Sequence, residues 1–382
     1  MYTQTDNAAL LQTAAFVGIW GILFLMAWTA RVANWVWDNG LPVARASRGP
    51  VFYAAALLLA LLGGGAWLAF AAPARAEVPV ATVVSSSQQL LNSVPSDALG
   101  RLLAGTATAQ DNALLHTGMA TLSDEMLAQS ARAAQAGARI IVWPEGSLLL
   151  SPADEAAFQG RAAELARNNG VYLVTAYAVL HQGAKHENKA IVFDPRGAQA
   201  LEYAKHNLVP FAEDSVFERG AGLIPTLDTP YGRLAVVICH DQDHHEFIAQ
   251  AGRQGVDLLL IPTGDWKTID QAHQRLGMMR AVEQGVTVVR ATRGGLSAVI
   301  DPQGRVLASM DRGDVYFDRT PVEPALPNDV STMFGSAPAS GMPTLYRTTG
   351  DAFAWLCVAG LAGFVAAALR RRQARAAVPA VV

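Results

Sequence analysis

A thiol, an amine and two carboxylates, each beside an apolar run, carry the chemistry this chain can offer. Leu234-Ala235-Val236-Val237-Ile238 runs directly into Cys239-His240-Asp241. An apolar run rich in β-branched residues reads as a buried strand, and open α/β sheets hold their chemistry at the carboxyl ends of strands. Ile140-Ile141-Val142-Trp143-Pro144 delivers Glu145 in the same manner, and the stretch from Tyr203 to Glu213 supplies Lys205 and a second carboxylate. A cysteine nucleophile needs a base for its proton, and a cation or backbone donors where an oxyanion develops. Glu145, Lys205 and Cys239 match those needs in type. The one other cysteine, Cys357, lies in an apolar stretch near the C-terminus, so Cys239 is expected as a free thiol. Taken alone, Cys239 fits a small buried core residue better than a nucleophile; its partners decide otherwise.

The elements that must position these groups alternate along the chain. Strands are expected over 78–84, 139–143, 171–179, 234–238, 256–261 and 286–291, with helices over 111–136, 152–169, 244–254 and 268–284. Hairpins are expected at Pro195-Arg196-Gly197 and at Asp301-Pro302-Gln303-Gly304. The Ser/Gln/Asn-rich stretch 85–96 reads as a loop, and the Pro/Ser/Thr-rich stretch after Pro321 as an irregular connector. The pattern predicts a layered α/β domain with a mixed sheet.

The rest of the chain is apolar. Of 382 residues, 51% are hydrophobic and only 16% charged, with net charge -3. About 25% charged is usual for a soluble domain, and no basic field points to nucleic acid. Residues 8–30, 50–72 and 352–369 are uncharged runs near the roughly 20 residues a spanning helix needs. Arg31, Arg45 and Arg48 lie between the first two runs, and Arg370, Arg371, Arg372 and Arg375 follow the third. Basic flanks belong on the cytoplasmic side, so everything between the second and third runs is expected in the periplasm of a multi-pass inner-membrane protein. Arg75 is one charge on the outer side against that trend. Trp28, Trp35 and Trp37 suit an aromatic belt at the cytoplasmic interface. The expected organisation is two transmembrane helices with a cytoplasmic loop (1–73), a periplasmic catalytic domain (74–325), a connector (326–350), and a third transmembrane helix with a basic tail (351–382).

In order and context, Trp143-Pro144-Glu145, Lys205 to Glu213, Cys239, Asp265-Trp266, His273 to Glu283 and Arg290 to Val299 resemble the nitrilase, or carbon–nitrogen hydrolase, superfamily. Within it the chain is most similar to the apolipoprotein N-acyltransferases, including Gln12 to Gly21 in the first apolar run. The resemblance implies an αββα sandwich with mixed sheets, flanked here by the three transmembrane helices. It implies Glu145 as general base, Lys205 as oxyanion stabiliser together with a backbone N–H near His240, and Cys239 as nucleophile. Glu213, His240 and Asp241 would support them, and Asp265 and Trp266 would line the pocket. It implies no cofactor. A phospholipid would donate the acyl chain through a Cys239 thioester, and a lipoprotein amine would accept it.

Two features depart from the acyltransferase pattern. The segment after Glu213, Asp214 to Gly220, is short and charged, and Cys239-His240-Asp241 stands where that family has Cys-Tyr-Glu. Several upstream spans usual in that family would also be absent. These departures leave a membrane-tethered amidase of a small amide, or a non-catalytic binding module, as alternatives. The run His240, Asp241, Asp243, His244 and His245 has metal-binding residue types. Its spacing suits the start of a helix better, where carboxylates face the positive end, so no metal site is expected.

Overall fold

A computed structural model of the chain describes residues 2–71, 76–85, 94–311 and 331–376. The apolar runs fold as two stacked sheets. The first orders its strands β13-β1-β2-β4-β5-β6, with β3 pairing β4: Ser331–Pro338, Glu77–Val84, Ile140–Val142, Tyr172–Val179, Glu187–Phe193 and Gln199–Ala204, with β3 at Leu149–Leu150. The second runs β12-β11-β10-β9-β8-β7: Val306–Asp311, Leu296–Ile300, Thr287–Arg293, Leu258–Gly264, Gly232–Val236 and Thr226–Thr229. Each sheet mixes parallel pairs, such as β1 with β2 and β8 with β9, with antiparallel ones, such as β1 with β13.

Side-chain alternation decides which face meets which layer. Val80, Ile140, Val142 and Val174 point from the first sheet into a core shared with Leu234, Val236, Leu258 and Val288 of the second. Their neighbours Ala81, Ile141 and Leu173 point the other way, under helices Ala109–Gln135 and Pro152–Asn169. Helices His245–Arg253 and Asp270–Gln284 cover the second sheet, through residues including Phe247, Ile248 and Ala281. The result is the αββα sandwich. Helix Pro152–Asn169 forms at the expected residues, with Ser151 capping it and Gly170 closing it at φ 64°.

Three expectations need correction. The first apolar run is not one helix over 8–30. It breaks at Gly18, whose φ is 65°, and the long helix is Ile19–Asn39. A side chain at residue 18 would also collide with the Tyr346 ring. The residues before the break serve the sandwich instead: Leu11, Ala14 and Ala15 pack against Met279 and Val282. The expected connector is not irregular throughout, because Ser331–Pro338 pairs with β1 along its whole length. The sandwich therefore extends past residue 325. Helix Ser96–Leu103 and strand Thr226–Thr229 were not anticipated. Most of the expected loop over 85–96, the start of the connector, and Arg75 fall outside the described residues.

Ile19–Asn39, Arg48–Phe70 and Ala352–Gln373 are long and apolar enough to cross a membrane. They leave the sandwich together. Phe16 and Trp67 meet edge-on at 5.4 Å, Phe24 and Phe353 at 5.7 Å, and Trp28 and Tyr53 at 5.4 Å. Gln303 Nε2 donates to Trp67 O at 3.4 Å, tying the end of the second long helix to a hairpin of the sandwich. The turn before Arg48 and the residues Arg370 to Arg372 lie at the helix ends remote from the sheets.

Candidate active site

Glu145, Lys205 and Cys239 each follow a strand, and the stacking of the two sheets brings these strand ends together. Glu145 follows β2, Lys205 follows β6, and both belong to the first sheet; Cys239 follows β8 of the second. Lys205 is fully buried. Its Nζ lies 2.8 Å from Glu145 Oε1 and 2.7 Å from Glu213 Oε2. Glu145 Oε1 also accepts from Asn188 Nδ2 at 2.8 Å, and its Oε2 from the Gly264 N–H at 3.0 Å. Glu213 Oε2 accepts from the Val209 N–H at 2.8 Å. The Cys239 thiol points at Gly264 O, 3.8 Å away.

The charges set a definite resting state. Burial pushes the Glu145 carboxyl up, but the Lys205 charge and the hydrogen bonds from Lys205 and Asn188 hold it below the usual carboxylate value. Burial and the Glu145 charge push Glu213 above it, against the pull of Lys205. Two carboxylates share one cation, and the better-bonded one keeps the charge. Burial, then the Glu145 charge, push the Cys239 thiol well above its usual value. At neutral pH the site holds a thiol beside an ionised carboxylate. In such a pairing the carboxylate is placed to accept the thiol's proton.

Backbone strain concentrates here. Among the described residues, Cys239 at φ 48° and Phe211 at φ 64° are the non-glycine residues with positive φ. Such conformations cost about 1–3 kcal/mol and persist where surroundings over-determine them. At Cys239 the surroundings include Asp241, which is fully buried. Its carboxylate accepts from the Ile238 N–H at 3.0 Å, Tyr203 Oη at 2.6 Å, and Asn207 N and Nδ2 at 2.8 and 3.0 Å. Asp241 thus caps the 3-10 turn Cys239–Asp243 rather than facing a ligand.

A cavity of about 460 Å³ opens beside the thiol. Glu145, Lys205, Glu213, Cys239, Asp265 and Trp266 all line it, so six of the eight residues singled out from sequence converge on one space. His240 and Asp241 do not line it; His240 Nδ1 contacts Asn207 O at 3.2 Å. The remaining wall is largely apolar, with Leu99 and Leu103 from helix Ser96–Leu103, Leu149, Val209, Val216 and Phe217. Sequence reasoning missed Asn188, although a buried Asn beside an apolar strand core was a usable signal. Its Oδ1 has no partner among the described residues. It also missed the helix that brings Leu99 and Leu103, because those residues carry no chemical mark of the site.

Cys239, Asp265 and His273 place donor atoms within 4.8 Å of one another, as do His245, Glu246 and Asp351. In the first group both ring nitrogens of His273 already contact carboxylates: Nδ1 meets Asp265 at 2.6 Å and Nε2 meets Asp243 at 2.9 Å. Arg290 sits 3.0 Å from the other oxygen of Asp265. Asp243, His273, Asp265 and Arg290 thus form a chain of alternating charges that engages both nitrogens of His273.

Comparison with known proteins agrees with this geometry. A carbon-nitrogen hydrolase family model matches residues 102–314. The chain is 29% identical over 259 residues to an apolipoprotein N-acyltransferase of Geobacter metallireducens, covering 61% of this chain and 46% of that protein. It is 27% identical over 361 residues to that of Azotobacter vinelandii, covering 85% and 63%. For Bradyrhizobium diazoefficiens the match is 27% over 403 residues, covering 98% and 69%. The chain thus spans less than two thirds of the length of the first two. Among solved structures, an amidase from Nesterenkonia sp. superposes with a TM-score of 0.51 at 20% identity, covering 70% of this chain and 93% of that one. A variant of that amidase in complex with butyramide gives 0.53 at 20% identity, covering 73% and 96%. At that identity the likeness is one of fold.

Proposed function

The chain belongs to the carbon-nitrogen hydrolase family, and on that premise we propose that it is an N-acyltransferase that loads a long acyl chain onto Cys239 and passes it to an amine. Glu145 takes the thiol proton as sulfur attacks the ester carbonyl of a phospholipid. Lys205 and a backbone N–H after the thiol stabilise the oxyanion. The intermediate collapses to a thioester, and Glu145 returns the proton to the departing alcohol. An amine, such as the N-terminus of a lipoprotein, then attacks the thioester. Glu145 takes a proton from the nitrogen, an amide forms, and the thiol is restored. Glu213 holds Lys205 in place from the far side.

The observation that carries this reading is the apolar cavity at the thiol. Burying a methylene is worth about 0.8 kcal/mol, so half a dozen buried along Leu99, Leu103, Leu149 and Val216 contribute about 5 kcal/mol. A small amide would leave that surface unused. The three apolar helices support the same reading, since a lipid donor is reached from the bilayer. We read the sandwich as periplasmic, with the arginines at the remote helix ends in the cytoplasm.

The test is direct. The protein is purified in detergent with phospholipid, the Cys239 adduct is trapped, and its mass is measured. A fatty-acyl thioester is the expected result. An adduct that forms only with added small amides would replace transfer by amide hydrolysis. The absence of any adduct, with Cys239→Ser behaving as wild type, would remove the catalytic reading altogether.

A further inference from the structure

The thiol has two flanks. Glu145 and Lys205 stand on one. On the other, Asp265, at the end of β9, lines the same cavity, and its carboxylate charge opposes ionisation of the thiol. Nothing in the acylation steps above uses Asp265. Its partners are Arg290 from β10, at 3.0 Å, and His273 from helix Asp270–Gln284, at 2.6 Å. His273 is buried and held above its usual range: burial lowers it, but the hydrogen bonds to Asp243 and Asp265 prevail.

The second contact of His273 matters more. Its Nε2 lies 2.9 Å from Asp243 Oδ1, and Asp243 is the last residue of the turn Cys239–Asp243. The neighbouring Gln242 donates from Nε2 to His273 O at 3.2 Å. One residue of the helix therefore grips the nucleophile turn twice at its far end, while Asp241 pins its near end. Between these grips sits Cys239, with the backbone at φ 48°. A strained conformation persists where the surrounding structure over-determines it.

We propose that His273 is a positioning residue for Cys239: bridging Asp243 and Asp265, it locks the strained turn that carries the thiol and offsets the carboxylate charge facing it. The role rests on the reading of Cys239 as nucleophile and requires no substrate contact by His273. The charged groups facing the thiol are Glu145, Lys205 and Asp265, and those facing His273 are Asp243, Asp265 and Arg290. Replacing His273 with a neutral side chain leaves Asp265 with Arg290 as its remaining cation. The thiol then becomes harder to ionise, so its titration moves to higher pH.

The experiment is alkylation of Cys239 by iodoacetamide as a function of pH, in the full chain in detergent and a Cys357→Ser background. With His273→Gln, the midpoint is expected to rise by about one pH unit, with alkylation at neutral pH slowed by about tenfold. A lower melting temperature with an unmoved midpoint would make His273 merely structural and overturn the proposal. If His273→Gln does not fold, Asp243→Ala cuts the same bridge at a part-exposed residue and is expected to slow alkylation. An unchanged rate there would also overturn it. Alkylation needs no acyl donor, so the two readings fail separately. If the wild type forms no fatty-acyl adduct while His273→Gln still moves the midpoint, acyl transfer falls and the positioning role stands.

Discussion

Two buried charge clusters divide the molecule, and they handle charge in opposite ways. At the cavity, Lys205 faces two carboxylates, Glu145 and Glu213, beside a thiol and an open space. Where the sandwich meets the apolar helices, Arg280 pairs with Glu283 in a closed core. Glu283 Oε1 also accepts the Ile19 N–H at 3.0 Å, capping the first long helix at its positive end. The surroundings there are Leu11, Ala15, Ile22, Met279 and Val282. Nearby, Asp351 at the head of the third long helix takes Trp20 Nε1 at 2.6 Å, Tyr346 Oη at 2.7 Å and His245 Nε2 at 3.1 Å. Burial pushes both Glu145 and Glu283 upward. The Lys205 and Asn188 bonds reverse this for Glu145, whereas Glu283 stays above the usual carboxylate value. One cluster keeps a carboxylate charged beside a space that a substrate can enter. The other spends its charges fastening helices to the sandwich.

The comparison can be broken first at the cavity. Glu145→Gln is expected to cut Cys239 acylation on the order of 10³-fold, equivalent to about 4 kcal/mol of barrier, while thermal unfolding in detergent shifts little. Persisting acylation would remove Glu145 as the base. The junction should respond in reverse. Glu283→Ala strands the Arg280 cation and is expected to cost about 3–5 kcal/mol of stability. The folded fraction should keep its Cys239 alkylation rate. A double change, Arg280→Met with Glu283→Leu, should recover most of that loss in denaturant unfolding.

A third change addresses the apolar wall. Leu103→Trp is expected to slow acylation by long-chain donors about 10–100-fold, at about 1.4 kcal/mol per factor of ten, while iodoacetamide still reaches the thiol at the wild-type rate. Equal slowing of both would mean the cavity does not hold the chain. The smallest effect concerns Glu213. Its folded value lies above the unfolded 4.5, so the stability it contributes is present below that value and is lost as pH rises through the folded one. Glu213→Gln should therefore equal wild type in acid. Near neutral pH it should be slightly the more stable, by no more than about 1 kcal/mol, a few degrees in melting temperature. A lower melting temperature at neutral pH would show that Lys205 needs both charges.

Much of the site was legible because its residues follow apolar strands whose pattern is local. Ile140 to Val142 and Leu234 to Ile238 announce buried strands, and whatever follows such a strand sits at a sheet edge. What stayed hidden depends on contacts between distant segments. Asp241 reads as a possible site carboxylate, yet four hydrogen bonds turn it into the cap of its own turn. His273 opens one of the stretches that carry the family resemblance, yet it lies 34 positions beyond Cys239, and only packing sets its ring between two carboxylates. Residues 8–17 read as part of a membrane span, since composition cannot distinguish lipid from a protein core as the apolar surroundings of a helix.

The sequence by itself determined the layered α/β class, the three apolar helices, and the residue types able to run a thiol-based acyl transfer, because side-chain periodicity and charge are properties of neighbouring residues. The tertiary structure decided how those groups share their charges. It gave two carboxylates one lysine, strained the backbone at Cys239, and placed leucines of an unanticipated helix along the cavity. Burial and proximity set protonation and access, and both arise only when segments far apart in the chain are packed against each other.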